Sequence, residues 1–447
     1  MTSVAKGQLS GTSEAVPEAT GQKNADGVKA RLRSATIWSL VAAVSTQGAT
    51  FVISILVGRI LGTNGFGKYS AVANTLLMIA SVSQLAAGYT ATKYVAELRQ
   101  SAPARAYRIY VLLRLTCVVN ALVGVCGIFL GAEALSRWLL GTPELAMLFR
   151  VGAVFVLFSS LNALQTGVLA GFEAYRDLGL AGTMGGVFAV TAAVVGCVYE
   201  GYVGAAAGFV VAAVVRFLVH TVRVARCLDR CRVPTTWRQA LVEYRVILDF
   251  SLPAAVSGLV LMPAVWMANS LLVKQPGGVE EFAIYSAAFV LRTIVLFIPG
   301  VVCNVAMSLM NNMRGAGTPE ALREVFRYSL AVVGVVALVV ALGLHLSGGW
   351  WLSLLGRDFS GGRAVLDVLL ISGCFESVAL AAYQRVQVAG RIWFSLMAVI
   401  LPWQATQLLL SWWLVPTHGA LGLATGTAAG ATVFLVATWT SVRWFVR

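Results

Sequence analysis

Residues 328–347 read YSLAVVGVVALVVALGLHLS, a run of twenty residues without Lys, Arg, Asp or Glu. An α-helix rises about 1.5 Å per residue, so this run covers about 30 Å, the thickness of the hydrocarbon core of a bilayer. The whole chain has a similar character, because 58% of its 447 residues are hydrophobic and 12% are charged. Soluble domains carry about 25% charged residues. The sequence therefore predicts an all-α integral membrane protein.

Apolar runs of this kind recur along the chain and predict about twelve transmembrane helices. Each is about 20 residues or longer and mostly apolar, which is what a spanning helix requires. The predicted spans are residues 37–60, 68–92, 108–130, 145–170, 178–198, 202–222, 247–273, 282–311, 328–347, 364–386, 392–414 and 419–443.

The basic residues predict the orientation of these spans. We assign 24 of the 33 Lys and Arg to the side of the N terminus, six to the other side and three to the interior of spans. The 24 include Arg216, which begins the basic stretch 216–245. Cytoplasmic loops carry the excess of basic residues, so both termini are expected in the cytoplasm. The formal charge of +14 is therefore a topology signal, which argues against nucleic-acid binding and agrees with contact to membrane lipids.

An internal repeat divides the chain into two halves of six spans. The matches are Phe66, Tyr69, Ser70 and Ala71 with Phe282, Tyr285, Ser286 and Ala287, then 139–141 with 354–356, 170–171 with 389–390, and Gly204 and Gly208 with Gly422 and Gly426. Six spans return the chain to the same side, so the lobes should be parallel and enclose a central cleft, as in alternating-access transporters. The predicted division is a disordered cytoplasmic tail (1–33), a first lobe (34–226), a basic cytoplasmic linker (227–244) and a second lobe (245–447).

Several charged residues fall inside the predicted spans. Arg292 lies near the middle of span 8, whereas Arg150 and Arg114 are closer to an interface. Charges in hydrocarbon are costly. We therefore expect either that these arginines line a cationic cavity that binds an anion, or that they pair with a carboxylate of another helix or snorkel to an interface. Glu376 shares span 10 with Asp367, and either carries a coupling proton or pairs with Arg292.

Catalytic and metal-binding motifs are not visible in the sequence. The three His residues form no nucleophile–base set, no phosphate-binding Gly-rich loop is present, and Cys and His lack zinc-finger spacing. We therefore expect a protein that is not an enzyme and that needs no cofactor.

The segment VGRILGTNGFGKY, residues 57–69, resembles the end of span 1 in bacterial polysaccharide-biosynthesis flippases, and LLGRDF, residues 354–359, resembles their segment before span 10. The second half adds Tyr285-Ser-Ala-Ala288, a basic residue and Ile298-Pro299. This resemblance implies a member of the multidrug/oligosaccharidyl-lipid/polysaccharide exporter superfamily. It also adds Arg59 to Arg292, Arg150 and Arg114 as candidate substrate-binding residues.

The resemblance implies translocation of a polyprenyl-diphosphate-linked oligosaccharide across the bacterial inner membrane for O-antigen or exopolysaccharide assembly. Expected partners are this lipid-linked substrate, membrane lipids and polysaccharide polymerase or chain-length machinery. A proton or sodium ion is the expected coupling ion, if one is used. The alternatives are a drug or cation antiporter of the same superfamily and a non-transporting scaffold of a polysaccharide assembly complex.

Overall fold

The computed structural model describes residues 18–143, 145–229, 236–313, 319–388 and 392–445, and these residues form helices and short connections. The helices are α1 (Glu18–Ser83), α2 (Ala87–Ser101), α3 (Pro103–Leu140), α4 (Ala146–Gly171), α5 (Tyr175–Leu228), α6 (Trp237–Leu241), α7 (Leu252–Val273), α8 (Gly278–Met313), α9 (Pro319–Leu355), α10 (Arg363–Val388), α11 (Ile392–Ser395) and α12 (Leu401–Phe445).

Nine stretches of the described residues are long and apolar enough to cross a membrane, and three of these are long enough to cross it twice. α1 is broken at Gly62, α5 at Glu200 and Gly201, and α12 at Gly419, where the backbone leaves the helical conformation. We call the parts before and after each break α1a and α1b, α5a and α5b, and α12a and α12b. Nine stretches with three breaks give the twelve spans that the sequence predicts.

The breaks recur at equivalent places in the two halves. Gly201 has φ 57° and ψ −135°, and Gly419, 218 residues later, has φ 53° and ψ −129°. Gly141 and Gly356, which follow α3 and α9, also have positive φ. Glycine adopts positive φ without the steric cost that a Cβ brings. The internal repeat is therefore present in the backbone, with the first lobe formed by α1–α5 and the second by α7–α12.

We name the two ends of the bundle by their loops. The basic face carries residues 93–108, 172–177, 223–229 and 236–246, and the opposite face carries residues 59–68, 131–143, 199–202, 274–281 and 348–363. The two helices of each hairpin pack closely where glycine allows it. A Cβ on Gly204 of α5b would lie 1.8 Å from the carbonyl oxygen of Gly196 on α5a.

The second predicted span differs from the structure. α1b ends at Ser83, and Leu85 and Ala86 have positive φ before α2 begins. Neither glycine nor proline marks this break. The equivalent region of the second lobe contains Pro299, yet α8 continues through it, so the Pro299–Gly300 pair does not interrupt the helix.

Two other prolines are accommodated by widened helical turns. π-helical turns at Ile247–Ser251 and Leu396–Ile400 each precede a proline, Pro253 and Pro402, by two residues. Proline has no N–H and its ring clashes with the carbonyl one turn earlier. A wider turn relieves that clash, so the helix continues.

The predicted tail and linker are described only in part. α1 begins at Glu18, so helix is present within the predicted tail, while residues 1–17 lie outside the described residues. The linker contains the short helix α6, which begins with a capping box between Thr236 and Gln239, and its residues 230–235 lie outside the described residues. The domain boundaries themselves stay a prediction.

Candidate substrate-binding site

The structure brings Arg292 of α8 and Glu376 of α10 together inside the second lobe. Arg292 Nη2 donates a hydrogen bond to Glu376 Oε2. Arg292 is 3% exposed, and its position fourteen residues after Gly278 places it about 21 Å from the start of α8. The two charges are therefore paired deep within the membrane-spanning part of the lobe.

The local packing holds the Arg292 side chain in place. The guanidinium carbon lies 5.0 Å from the centre of the Phe289 ring, one turn earlier on α8. Gly373 on α10 leaves room for the side chain, because a Cβ there would lie 3.3 Å from Arg292 Cγ. Arg292 Nε has no hydrogen-bond partner among the described residues. A buried donor without a partner is costly, so this nitrogen is available to water or to a ligand.

Other polar side chains are buried in the second lobe. The hydroxyl groups of Tyr285 and Thr427 lie 3.1 Å apart. Among the described residues, Ser372 Oγ, Ser411 Oγ and both amide atoms of Gln404 have no hydrogen-bond partner. The interior of this lobe therefore offers donors and acceptors that an entirely apolar helix bundle would lack.

The other three predicted arginines do not join the Arg292–Glu376 pair. Arg150 pairs with Glu133 at 3.1 Å, and both side chains are more than a third exposed. Arg114 is exposed on α3 beside Tyr110, and Arg59 is exposed at the end of α1a. Exposed ion pairs contribute little to stability, so the Arg150–Glu133 pair is a weak contact. The role of these three residues in substrate binding stays a prediction.

Asp367 is also separated from Glu376. Its carboxylate lies 2.7 Å from His345 Nδ1 of α9 and 3.6 Å from Arg363 Nε, near the opposite face. Nine residues separate Asp367 from Glu376, which places them on opposite sides of α10. Of the two carboxylates, Glu376 alone is paired with a predicted substrate-binding arginine.

One charged residue inside the bundle, Arg216, was not recognised from the sequence as a charge within the membrane. Arg216 lies inside the predicted span 202–222 but is counted above with the basic residues on the side of the N terminus. The structure places it within α5b, where it is partly buried against Gly185 of α5a. The apolar residues on both sides of Arg216 were the available signal. The three arginines that follow, Arg223, Arg226 and Arg230, obscured this signal, because Arg216 was grouped with them as part of one basic stretch.

Contacts between the lobes close the opposite face. The indole rings of Trp138 and Trp266 stack with their centres 5.5 Å apart, and Lys274 Nζ lies 3.6 Å from the centre of the Trp138 ring. Trp266 Nε1 also donates to Thr75 Oγ1 at 3.0 Å. We call Trp138, Trp266, Lys274 and Thr75 the aromatic clasp. It joins α1b and α3 of the first lobe to α7 and the turn after it.

The lobes also meet near the basic face, along α2 and the start of α7. Thr90 Oγ1 and Ser251 Oγ lie 2.8 Å apart, and Lys93 Nζ lies 4.0 Å from the centre of the Phe250 ring. Glu243 accepts hydrogen bonds from Arg105 and Arg108 at 3.0 and 3.1 Å. The segment before α7 is therefore held against the first lobe.

Metal binding has no visible support in the described ranges. Within them, no three His, Cys, Asp or Glu side chains are grouped closely enough to hold a metal ion.

Two parallel six-helix lobes with a buried ion pair at membrane depth define a multi-spanning membrane protein with the architecture typical of alternating-access transporters. Solved structures show the same fold. An inward-facing multidrug-resistance MATE transporter of the MOP superfamily matches with a TM-score of 0.77 at 18% identity, over 92% of this chain and 98% of that one. A MOP-superfamily transporter from Pyrococcus furiosus, described as having a binding pocket of reverse polarity, matches with a TM-score of 0.69 at 17% identity. The match covers 93% of this chain and 94% of that one.

The chain belongs to the polysaccharide biosynthesis protein family, whose model matches residues 32–308. It is 25% identical over 382 residues to the EPS I polysaccharide export inner membrane protein EpsE of Ralstonia nicotianae, covering 82% of this chain and 84% of that protein. The corresponding protein of Ralstonia solanacearum matches at 25% over 381 residues, with the same coverage. These relatives are exporters rather than enzymes, in agreement with the prediction that the chain is not an enzyme.

Proposed function

We propose that the chain is a flippase that moves polyprenyl-diphosphate-linked oligosaccharide units across the bacterial inner membrane by alternating access. The family match, the similarity to polysaccharide export inner membrane proteins and the two-lobed transporter fold support this proposal. Undecaprenyl diphosphate is the proposed lipid carrier, and O-antigen or exopolysaccharide assembly is the proposed destination. Polymerase or chain-length proteins are the proposed partners.

The buried Arg292–Glu376 pair is the observation that carries the proposal. A guanidinium forms paired hydrogen bonds with phosphate oxygens, and such charge-assisted bonds are among the strong ones. Arg292 Nε has no partner in the described structure, so an entering diphosphate would find a free donor beside the paired Nη2. Glu376 either serves as the partner of Arg292 in the empty transporter or accepts a proton when substrate replaces it.

The basic face is the proposed cytoplasmic side, because cytoplasmic loops carry the excess of Lys and Arg. Both termini are proposed to lie on this side. The aromatic clasp joins the lobes at the opposite face. In this arrangement the headgroup would enter from the cytoplasmic side, and its transfer would require the clasp to separate. The lipid tail would stay in the bilayer while the sugars pass between the lobes.

Complementation tests the proposal. Bacteria lacking their own lipid-linked-oligosaccharide flippase would express wild type, Arg292→Ala, Glu376→Gln or Arg137→Ala at matched levels, and surface polysaccharide would be measured. Arg137 is the control, because its side chain is 64% exposed at the opposite face. We expect wild type and Arg137→Ala to restore the polymer and Arg292→Ala to fail. Failure of wild type in several such strains would count against the flippase.

A drug or cation antiporter is the second candidate, because the multidrug MATE transporters share the fold. Such a protein would protect cells against cationic drugs without restoring surface polysaccharide. A scaffold would restore the polymer equally well with Arg292→Ala and with a charge-reversing Arg292→Glu. Glu376→Gln distinguishes coupling from pairing, because loss of dependence on a proton or sodium gradient follows only if Glu376 carries the coupling charge.

A further inference from the structure

Arg216 is a charged residue inside the first lobe that lacks a partner among the described residues. It lies on α5b, fifteen residues after the break at Gly201, which corresponds to about 22 Å along the helix. Its side chain is partly exposed, whereas its Nε is buried and makes no hydrogen bond to a described residue. No ion pair joins Arg216 to any described carboxylate.

The side chain of Arg216 does not bend towards the basic face. α5a and α5b run antiparallel, with Gly196 against Gly204, Ala192 against Gly208 and Asp177 against Arg223. In this register Arg216 stands level with Gly185, and a Cβ on Gly185 would lie 3.0 Å from Arg216 Nε. Nε of the guanidinium group thus stays level with the Arg216 backbone, and the backbone of Arg216 lies about 10 Å deeper than that of Arg223 along the helix. A snorkelling arginine would instead extend towards the interface.

Between residues 37 and 229, the carboxylates that the structure describes lie near the two faces of the first lobe, away from Arg216. Glu173 pairs with Arg99, Asp177 with Arg223, and Glu133 with Arg150, while Glu97, Glu200 and Asp229 are exposed. In the second lobe, by contrast, Arg292 has Glu376. A charge within the membrane normally pairs or marks a functional site, so the charge of Arg216 calls for an anion from outside the lobe.

Two neutral polar side chains of α4 and α5b, Asn162 and His220, are already engaged with one another. Asn162 Nδ2 donates to the carbonyl oxygen of Ala213 at 2.9 Å, so Asn162 Oδ1 faces His220 Nδ1, 3.2 Å away, and accepts its hydrogen. His220 follows Arg216 by one helical turn and is 3% exposed. This bonding fixes α4 against α5b and provides no acceptor for the guanidinium.

We propose that Arg216 binds a phosphate group of the transported lipid, as the first lobe's counterpart of Arg292. The two arginines lie at similar depth, about 22 and 21 Å from the ends of their helices at the opposite face. Arg292 is already paired, so Arg216 provides the uncompensated positive charge. This inference rests on the proposed function and adds the residue that recognises the anion. The same chemistry would hold the phosphate of a bilayer phospholipid, and the test separates these two sources.

Binding of undecaprenyl diphosphate to the purified full chain in lipid nanodiscs tests the proposal. The variants are Arg216→Gln, Arg216→Lys and, as a control, Arg226→Gln, which removes an exposed arginine of the same helix near the basic face. Each would be measured in phosphatidylcholine nanodiscs with and without phosphatidylglycerol, after gel filtration and thermal unfolding establish folding. We expect Arg216→Gln to weaken binding about tenfold or more, because a charge-assisted hydrogen bond is lost. Arg216→Lys should retain part of the affinity, and Arg226→Gln should bind as wild type does.

The outcomes distinguish the two proposals. If wild type binds undecaprenyl diphosphate and folded Arg216→Gln binds it equally well, the role of Arg216 is wrong while the proposed function stands. If wild type binds no undecaprenyl diphosphate in either nanodisc, the proposed function fails. If phosphatidylglycerol weakens the binding of undecaprenyl diphosphate to wild type but not to Arg216→Gln, and both chains bind it equally in phosphatidylcholine alone, Arg216 holds a bilayer phospholipid. Its assignment to the transported lipid is then overturned. If Arg216→Gln does not fold, Arg216→Lys decides, because unchanged affinity there contradicts paired hydrogen bonding to phosphate.

Discussion

Asn64 and Glu280 are equivalent residues of the internal repeat, 216 positions apart, and they hydrogen-bond to each other. Asn64 Nδ2 donates to Glu280 Oε1 at 2.5 Å at the opposite face. Two equivalent positions of a parallel repeat meet only near the axis that relates the repeats. This contact therefore marks the axis between the lobes, and it belongs to the surface that must separate when the opposite face opens.

A cross-link at this pair should stop transport. With Asn64→Cys and Glu280→Cys in a cysteine-free background, a short cleavable bis-thiosulfonate reagent should join the lobes, because the two native side chains touch. We expect translocation to cease on cross-linking and to return on reduction. Each single-cysteine variant, treated in the same way, is the control. Full activity of the cross-linked double variant would show that this contact persists through the cycle.

Gly67 allows a close approach of the lobes at the opposite face. A Cβ at this position would lie 2.1 Å from the carbonyl oxygen of Val279. Gly67→Ala should therefore force α1b away from the start of α8 and cost about 1–3 kcal/mol in the closed arrangement. We expect a lower thermal unfolding temperature than for Gly127→Ala, because a Cβ on Gly127 meets no atom within 4 Å. Equal unfolding temperatures would contradict the tight crossing.

Removal of the aromatic clasp should open the opposite face. A stacked aromatic pair contributes about 0.5–1.5 kcal/mol beyond its buried area, so Trp266→Ala should raise the open population roughly two- to tenfold. Asn74→Cys, which lines a small pocket beside Trp266 between the lobes, reports this as faster labelling by a membrane-impermeant thiol reagent. Trp412→Ala removes an indole that is 65% exposed and should leave the rate unchanged. An unchanged rate in Trp266→Ala would mean that the clasp does not hold this face.

The Arg292–Glu376 pair should show strong coupling in a double-mutant cycle. Removing one member of a buried pair leaves an uncompensated charge and costs about 3–5 kcal/mol. Arg292→Gln and Glu376→Gln should each lower the unfolding temperature. The double variant should lose less stability than the sum of the losses in the two single variants. Strictly additive effects would indicate that the two side chains act independently.

The spans and the repeat could be predicted because hydrophobicity and helix length are local properties. Runs of about twenty apolar residues predict twelve spans. The breaks at Gly62 and Gly201 lie between predicted runs, and the break at Gly419 falls on the first residue of the last predicted run. The break at Leu85 and Ala86 could not be predicted, because it interrupts an apolar run without glycine or proline at the positive φ angles.

The site could be predicted only in part, because pairing depends on which helices are neighbours. The position of Arg292 within its span indicated a buried charge, but its partner lies 84 residues away on another helix. Arg150 and Asp367 also lie in apolar runs, and their partners near the opposite face became visible only in the fold. Arg216 was missed because it begins a basic stretch, whereas the packing of α5a against α5b places it inside the lobe.

Translocation in a purified system tests the central claim most directly. Proteoliposomes containing the full chain and a fluorescent undecaprenyl-diphosphate-linked glycan would be treated with a membrane-impermeant quencher, with Arg292→Ala and Arg137→Ala chains in parallel. The account predicts that wild type and Arg137→Ala expose glycan from the inner leaflet to the quencher, so that more than the outer-leaflet half of the signal is lost, whereas Arg292→Ala does not. Quenching that stops at about half with folded wild-type protein, as in protein-free liposomes, would contradict it.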